Sequence, residues 1–341
     1  VPTNPTLHAA AAPHVSTGRL PSPGIVRALL TEAHERFRSH AEGESSSVYP
    51  ALARVPRDLF GLCLVGTGGD VYPAGDADHE FTIMSVSKPF VFALVCDALG
   101  VDEVRQRVGV NATGLAFNSL EAVERSPDGR TNPMVNSGAI ATTSLVPGAS
   151  LDARWGVVRD GLSRFAGRAL RLDEEVYASA ADTNSRNQSI ARLLQDRGRI
   201  HLDPVEAVEL YTRQCSLNVS ARDLAVMGAT LADGGVNPIT RERVVDASVC
   251  HYALAVMATA GMYETSGDWL FDVGLPGKSG IGGGIVAVSP GKGALGTFAP
   301  PLDGAGNSVK GQLVARFLSA RLGMDLFISA ADAPGASAPP P

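Results

Sequence analysis

The strand-like runs of this 341-residue chain lie at its two ends, with a long helical block between them. Near the start, LFGLCLVGT (residues 59–67), a Gly68-Gly69-Asp70 turn and VYPAG (71–75) read as a β-hairpin, followed by a short strand at 81–83. Near the end, GKSGIGGGIVAVSPGKGALGTFAP (277–300) reads as two apolar, β-branched runs around a Pro-Gly turn. From about 101 to 260 the apolar spacing is helical, punctuated by glycine and proline. A helix over 25–40 precedes the first strands, and an amphipathic helix over 308–323 follows the last. Strands segregated from helices predict an α+β fold with an antiparallel sheet made from both ends, not an alternating βαβ order.

Composition narrows what such a fold can do. Apolar residues at 45% and charged residues at 19% suit a globular enzyme, and a net charge of −6 argues against nucleic acid or an anionic membrane surface as partner. The apolar run from Pro89 to Leu99 is too short for a membrane span and contains Asp97. Residues 1–20, rich in Ala, Pro and Ser, read as disordered; 21–328 form the folded domain, and 329–341 an Ala/Pro-rich tail or linker. The start has neither a basic cluster nor a long apolar stretch, so no secretory leader is expected and the location reads as cytoplasmic. Cys63, Cys96, Cys215 and Cys250 are widely spaced and read as free thiols, while the seven histidines do not cluster. No metal and no cofactor are expected. Gly282-Gly283-Gly284 lacks the rest of a phosphate loop and reads as close backbone approach within a strand.

The chemistry centres on FTIMSVSKPFVFALVC (81–96). Ser85 could be a helix cap and Lys88 a snorkelling surface residue. Alternatively, Ser85 is a nucleophile and Lys88, nearly one turn on, its base. Only four lysines occur among 29 basic residues: Lys88, Lys278, Lys292 and Lys310. Arginine serves nearly everywhere that a charge suffices, so a retained lysine raises the question of an amine that must lose its proton. Two of the four fall in serine-lysine motifs, Ser85-x-x-Lys88 and Lys278-Ser279-Gly280. The pair, in that order, occurs in serine hydrolases of the penicillin-binding and β-lactamase type.

From about residue 48 to 323 the chain resembles the serine-dependent glutaminases. The resemblance rests on FTIMSVSK, FNSLEAVE (117–124), NPMVNSGAI (132–140), RNQSIA (186–191), YTRQCSL (211–217), LADGGVNP (231–238), GMYETSG (261–267), VGLPGKSGIGGGI and GNSVKG. It implies a β-lactamase/transpeptidase-like fold, a glutaminase-like catalytic domain and hydrolysis of L-glutamine to L-glutamate and ammonia through a serine acyl-enzyme. It also implies a homo-oligomer, dimer or tetramer. Carried over by motif, Ser85 is the nucleophile, Lys88 activates it, and Tyr263 shuttles a proton to the leaving ammonia. Asn136 and Asn187 bind the amino-acid end, Tyr211 and Tyr263 line the pocket, and the main-chain N–H groups of Ser85 and Ile281 form the oxyanion hole. On the residues alone, the asparagines could equally be caps or turn formers, and the tyrosines packing residues.

Three positions depart from the family pattern. Ala180 stands seven residues before Asn187, where a glutamate that would hold the α-ammonium is expected. Ile281 replaces the usual valine, and Ala112-Thr113-Gly114 replaces Pro-Ser-Gly. Ala180 is the serious one: it predicts weak binding of glutamine unless Asp182 reaches in. Two other readings stay open. One is another serine amidohydrolase of this fold, acting on a different amide or a lactam, with Ser216-Leu217-Asn218 as an S-x-N element. The other is a non-catalytic amino-acid sensor, against which the intact Ser85, Lys88 and Tyr263 speak.

Overall fold

The computed structural model describes residues 18–328. The reading of 1–20 falls mostly, and that of 329–341 wholly, outside those residues. Among the described residues eight strands form: β1 Gly61–Gly66, β2 Val71–Gly75, β3 Phe81–Thr82, β4 Arg171–Leu172, β5 Leu217–Val219, β6 Gly277–Ser279, β7 Gly284–Ser289 and β8 Gly293–Phe298. Five of them make one sheet in the order β2-β1-β8-β7-β6, antiparallel at every junction. The two ends of the chain therefore meet at β1 and β8, in a register that pairs Leu64 with Leu295.

Both faces of this sheet are covered, which explains why β1 and β7 read as continuous apolar runs. Leu62, Leu64, Ile285 and Leu295 pack with Val26 and Leu30 of helix Pro23–Phe37 and with Val314 and Leu318 of helix Val309–Arg321. The alternate residues, Cys63, Val65, Val286, Val288 and Ala294, join Leu224 and Ala225 of helix Ala221–Ala232 and the core of the helical block. Burying each such side chain contributes about 1.5–3 kcal/mol. Ser220 and Asp223 start helix Ala221–Ala232 with a reciprocal capping box. The helix then lies so close to the sheet that a Cβ on Gly296 would come within 2.1 Å of the Ala221 carbonyl oxygen.

The helical block holds a second, smaller sheet, β3-β5-β4. Its two-residue outer strands carry no period that a sequence pattern could reveal. It ties Phe81-Thr82 to Asn218-Val219, and thereby fixes the segment ahead of Ser85 to the helical block. The glycine triplet is not inside a strand as expected. Gly282 and Gly283 lie in the turn between β6 and β7, and only Gly284 belongs to β7. Close approach does hold there: a Cβ on Gly282 would meet the Thr82 carbonyl oxygen at 2.8 Å. Gly280 sits equally tightly on Ile83 and Val86, so the β6–β7 turn abuts the turn that carries Ser85.

Candidate active site

Ser85 lies in a 3-10 turn, Met84–Ser87, that runs directly into helix Lys88–Leu99. The turn is held from both ends. The Ile83 N–H donates to the Leu217 carbonyl at 2.8 Å, and Ser87 Oγ donates to the Met84 carbonyl at 2.8 Å. Ser87 in turn accepts from Gln214 at 3.0 Å, whose side-chain oxygen accepts from Thr143 at 2.9 Å. Met84, just before the serine, has φ +47°, a conformation non-glycine residues rarely adopt. Such strain is maintained only where the surroundings over-determine it. Ser85 is not a cap: the helix is preceded by Ser87, which makes no side-chain capping bond.

Nor does Lys88 snorkel. It is 1% exposed, and its Nζ donates to Asn136 Oδ1 at 2.8 Å and to the Met134 carbonyl at 3.2 Å. Burial lowers its pKa to about 7, against a smaller opposing effect of Cys215. A neutral amine has two N–H bonds and one lone pair. The two acceptors use both N–H bonds, which leaves the lone pair free to accept a proton.

Tyr263 follows the same logic. It too has a positive φ, +56°. Its hydroxyl donates to the Ser279 carbonyl at 3.1 Å, and its ring packs on Phe117 with centroids 4.7 Å apart. Burial raises its pKa, and a hydrogen bond with Ser85 lowers it in part. Beneath the ring lies Lys278, fully buried, with Nζ 4.3 Å from the ring centroid and 2.6 Å from the same Ser279 carbonyl. Burial, then the nearby Lys88, pushes the Lys278 pKa well down.

Ser85 opens into a cavity whose wall includes Asn136, Asn187, Tyr211 and Ile281. All four were expected there. Asn136 begins helix Asn136–Ser144 and Asn187 lies inside helix Ser185–Asp196, so neither is a cap. Asn136 Oδ1 accepts from Lys88 and also from the Tyr211 hydroxyl at 3.3 Å. Asn136 Nδ2 donates to Asn187 Oδ1 at 3.0 Å, Asn187 Nδ2 to Asn184 Oδ1 at 2.7 Å, and Asn184 Nδ2 to Thr212 at 2.6 Å. A relay of neutral groups thus runs from the amine into the cavity. Tyr263 borders an adjoining depression, on the other side of Phe117.

Ala180 is in the cavity wall and buried. Asp182 is exposed and not in the wall, so it does not replace the expected glutamate. Ser216, of the S-x-N stretch, also lines the cavity, and its hydroxyl donates to the Thr212 carbonyl at 2.9 Å. Tyr49, Asn184, Thr212 and Arg186 line the site and were not expected as site residues. Two of them had a signal. Asn184 precedes Asn187 by three residues at a helix start, and Tyr49 precedes Pro50, which holds it extended at φ −120°, ψ 130°. Among the described residues, no group of three or more His, Cys, Asp or Glu could hold a metal ion, and no helix is long and apolar enough to cross a membrane.

A serine next to a strained residue, a buried amine of lowered pKa and a tyrosine, set between an antiparallel sheet and a helical block, fit a serine amidohydrolase of the β-lactamase-like class. The glutaminase family model matches residues 43–327. The chain is 71% identical over 316 residues to Glutaminase 2 of Yersinia pestis, covering 93% of each. It is 49% identical over 306 residues to a glutaminase of Brucella suis biovar 1, covering 90% of this chain and 96% of that one. The solved structure of the probable glutaminase ybaS superposes with a TM-score of 0.89 at 41% identity, over 90% of this chain and 100% of that one. Mglu in its glutamate form gives 0.85 at 37% identity, over 90% and 71%. The chain belongs to the glutaminase family.

Proposed function

We propose that Ser85, Lys88 and Tyr263 hydrolyse the side-chain amide of L-glutamine through an acyl-enzyme. Ser85 Oγ attacks the amide carbon as its proton passes to Lys88 Nζ. The negative oxygen that forms is received by the main-chain N–H groups of Ser85 and Ile281. The proton then moves by way of Tyr263 to the leaving nitrogen, and ammonia departs from a γ-glutamyl ester. Water, deprotonated through Lys88 and Tyr263, attacks the ester and releases glutamate. Asn136 and Asn187 hold the amino-acid end, and Tyr211 packs beside them. The observation that carries this reading is Lys88: buried, lowered to about 7, with both N–H bonds engaged.

Ammonia release from glutamine and from asparagine tests it. Glutamine is expected to be the faster substrate, and Ser85→Ala to lose about 10⁴-fold or more of the rate while keeping the fold. Substantial turnover in that variant excludes the acyl-enzyme. The homo-oligomer, dimer or tetramer, and the cytoplasmic location rest on the family resemblance and on the reading of the N-terminus; sedimentation of the full chain tests the first.

A further inference from the structure

Among the described residues, the wall of the cavity that opens from Ser85 has no carboxylate. Among the described residues in its wall, Arg186 is the one charged side chain. Its Nε donates to the Asn118 carbonyl at 2.9 Å, and the side chain is exposed at the rim. The neutral oxygens are largely engaged as well. Asn136 Oδ1 accepts twice, from Lys88 and Tyr211, and the oxygens of Asn187 and Asn184 each accept from a neighbouring asparagine. Each of the Asn136 and Asn187 amide nitrogens has used one N–H in the relay and has a second to give. The wall also includes Ala180, Val48, Tyr49, Asn118 and Thr183, and the Thr183 hydroxyl already donates to the Ser179 carbonyl at 2.9 Å. The cavity thus offers free amide donors and apolar groups, and its acceptors are neutral oxygens. Such a surface suits a carboxylate or a carbonyl oxygen. It gives an ammonium no counter-charge, and a buried charge without a partner is costly.

We propose that the enzyme also hydrolyses the γ-carboxamides of five-carbon acids whose α-carbon bears no positive charge: the des-amino, keto and N-acylated counterparts of glutamine. The step is the same one. Ser85 forms the ester, ammonia leaves, and water restores the serine, so that one amide and one water give one carboxylate and one ammonium. This rests on the reading of Ser85 as the nucleophile, with the amide carbon placed there and the α-carbon toward Ala180.

Ammonia release by the wild-type protein from L-glutamine, glutaramate (the des-amino amide) and N-acetyl-L-glutamine decides it. The expected result is a kcat/KM for glutaramate within about tenfold of that for glutamine, or above it, because the α-ammonium makes no charge-assisted bond here. If glutamine is turned over and both analogues fall more than about tenfold below it, the inference is overturned and the glutaminase reading stands. If glutaramate is turned over and glutamine is not, the inference holds and the glutamine reading fails. If none of the three releases ammonia, both fail. Ala180→Glu supplies a second measurement. It is expected to raise kcat/KM for glutamine about tenfold or more and to lower that for glutaramate. An unchanged ratio between the two substrates in a folded Ala180→Glu variant contradicts the placement of the α-carbon. The wild-type series stands without that variant, should it fail to fold.

Discussion

The two sides of Ser85 are polar in opposite ways. On one side stand two amines, Lys88 and Lys278, both withdrawn from water and held by main-chain carbonyls and the face of Tyr263. On the other, Asn136, Asn187, Asn184 and Thr212 pass hydrogen bonds along a line of neutral groups. Burial acts differently on each. A buried amine is driven toward neutrality, which makes it a base near pH 7. A buried amide changes neither charge nor shape with pH, so it holds its geometry under any condition in which the protein folds. In the proposed mechanism, proton transfer is built from groups that burial destabilises as cations, and recognition from groups that burial leaves alone.

The largest effect is expected at Lys88. Lys88→Arg keeps the cation and removes the base, since guanidinium does not deprotonate. The turnover number is expected to fall about 10³-fold or more, while thermal unfolding shows the variant still folded. An arginine variant active at neutral pH would remove the amine from the mechanism.

A smaller effect is expected from the neutral side. Asn187→Ala leaves the Asn136 amide nitrogen and the Asn184 oxygen without their partners. Those orphaned groups cost the fold about 1–3 kcal/mol each, and the lost amide donor to the substrate costs a similar amount in binding. The expected outcome is a KM raised about tenfold to a hundredfold with a smaller change in turnover, read by steady-state kinetics. A variant that loses turnover at unchanged KM would place Asn187 with the proton-transfer groups.

The smallest effect is expected at Asp182. Its side chain is exposed and outside the cavity wall. Asp182→Ala should therefore leave KM for glutamine within about twofold, as surface substitutions usually do. A clear rise would mean that the aspartate reaches the substrate and that the recognition side does carry a charge.

Much of the first side is legible in the sequence, and less of the second. The scarcity of lysine singles out Lys88 and Lys278, because a residue type used four times in 341 carries information at each use. The antiparallel sheet is legible for a similar reason: strands covered on both faces read as unbroken apolar runs, as in β1 and β7. Asn184 is not. An asparagine beside a helix start is ordinary turn chemistry, and only the fold aligns its amide with Asn187 and Thr212. The small sheet is hidden too, because two-residue strands such as Arg171-Leu172 exist through pairing alone. Nothing local marks Lys278 as lying beneath Tyr263, since the chain passes through helix Ser266–Val273 and a turn before the sheet brings the two together.

If Lys88 works as a neutral amine, its titration governs the pH dependence of kcat/KM for glutamine, because that ratio reports the ionisation of the free enzyme. Below its folded pKa of about 7, Lys88 is an ammonium with no lone pair for the serine proton. The rate should fall about tenfold for each pH unit below that point and level off above it. A profile that stays flat from well below pH 7 to well above it would mean that Lys88 is not the base.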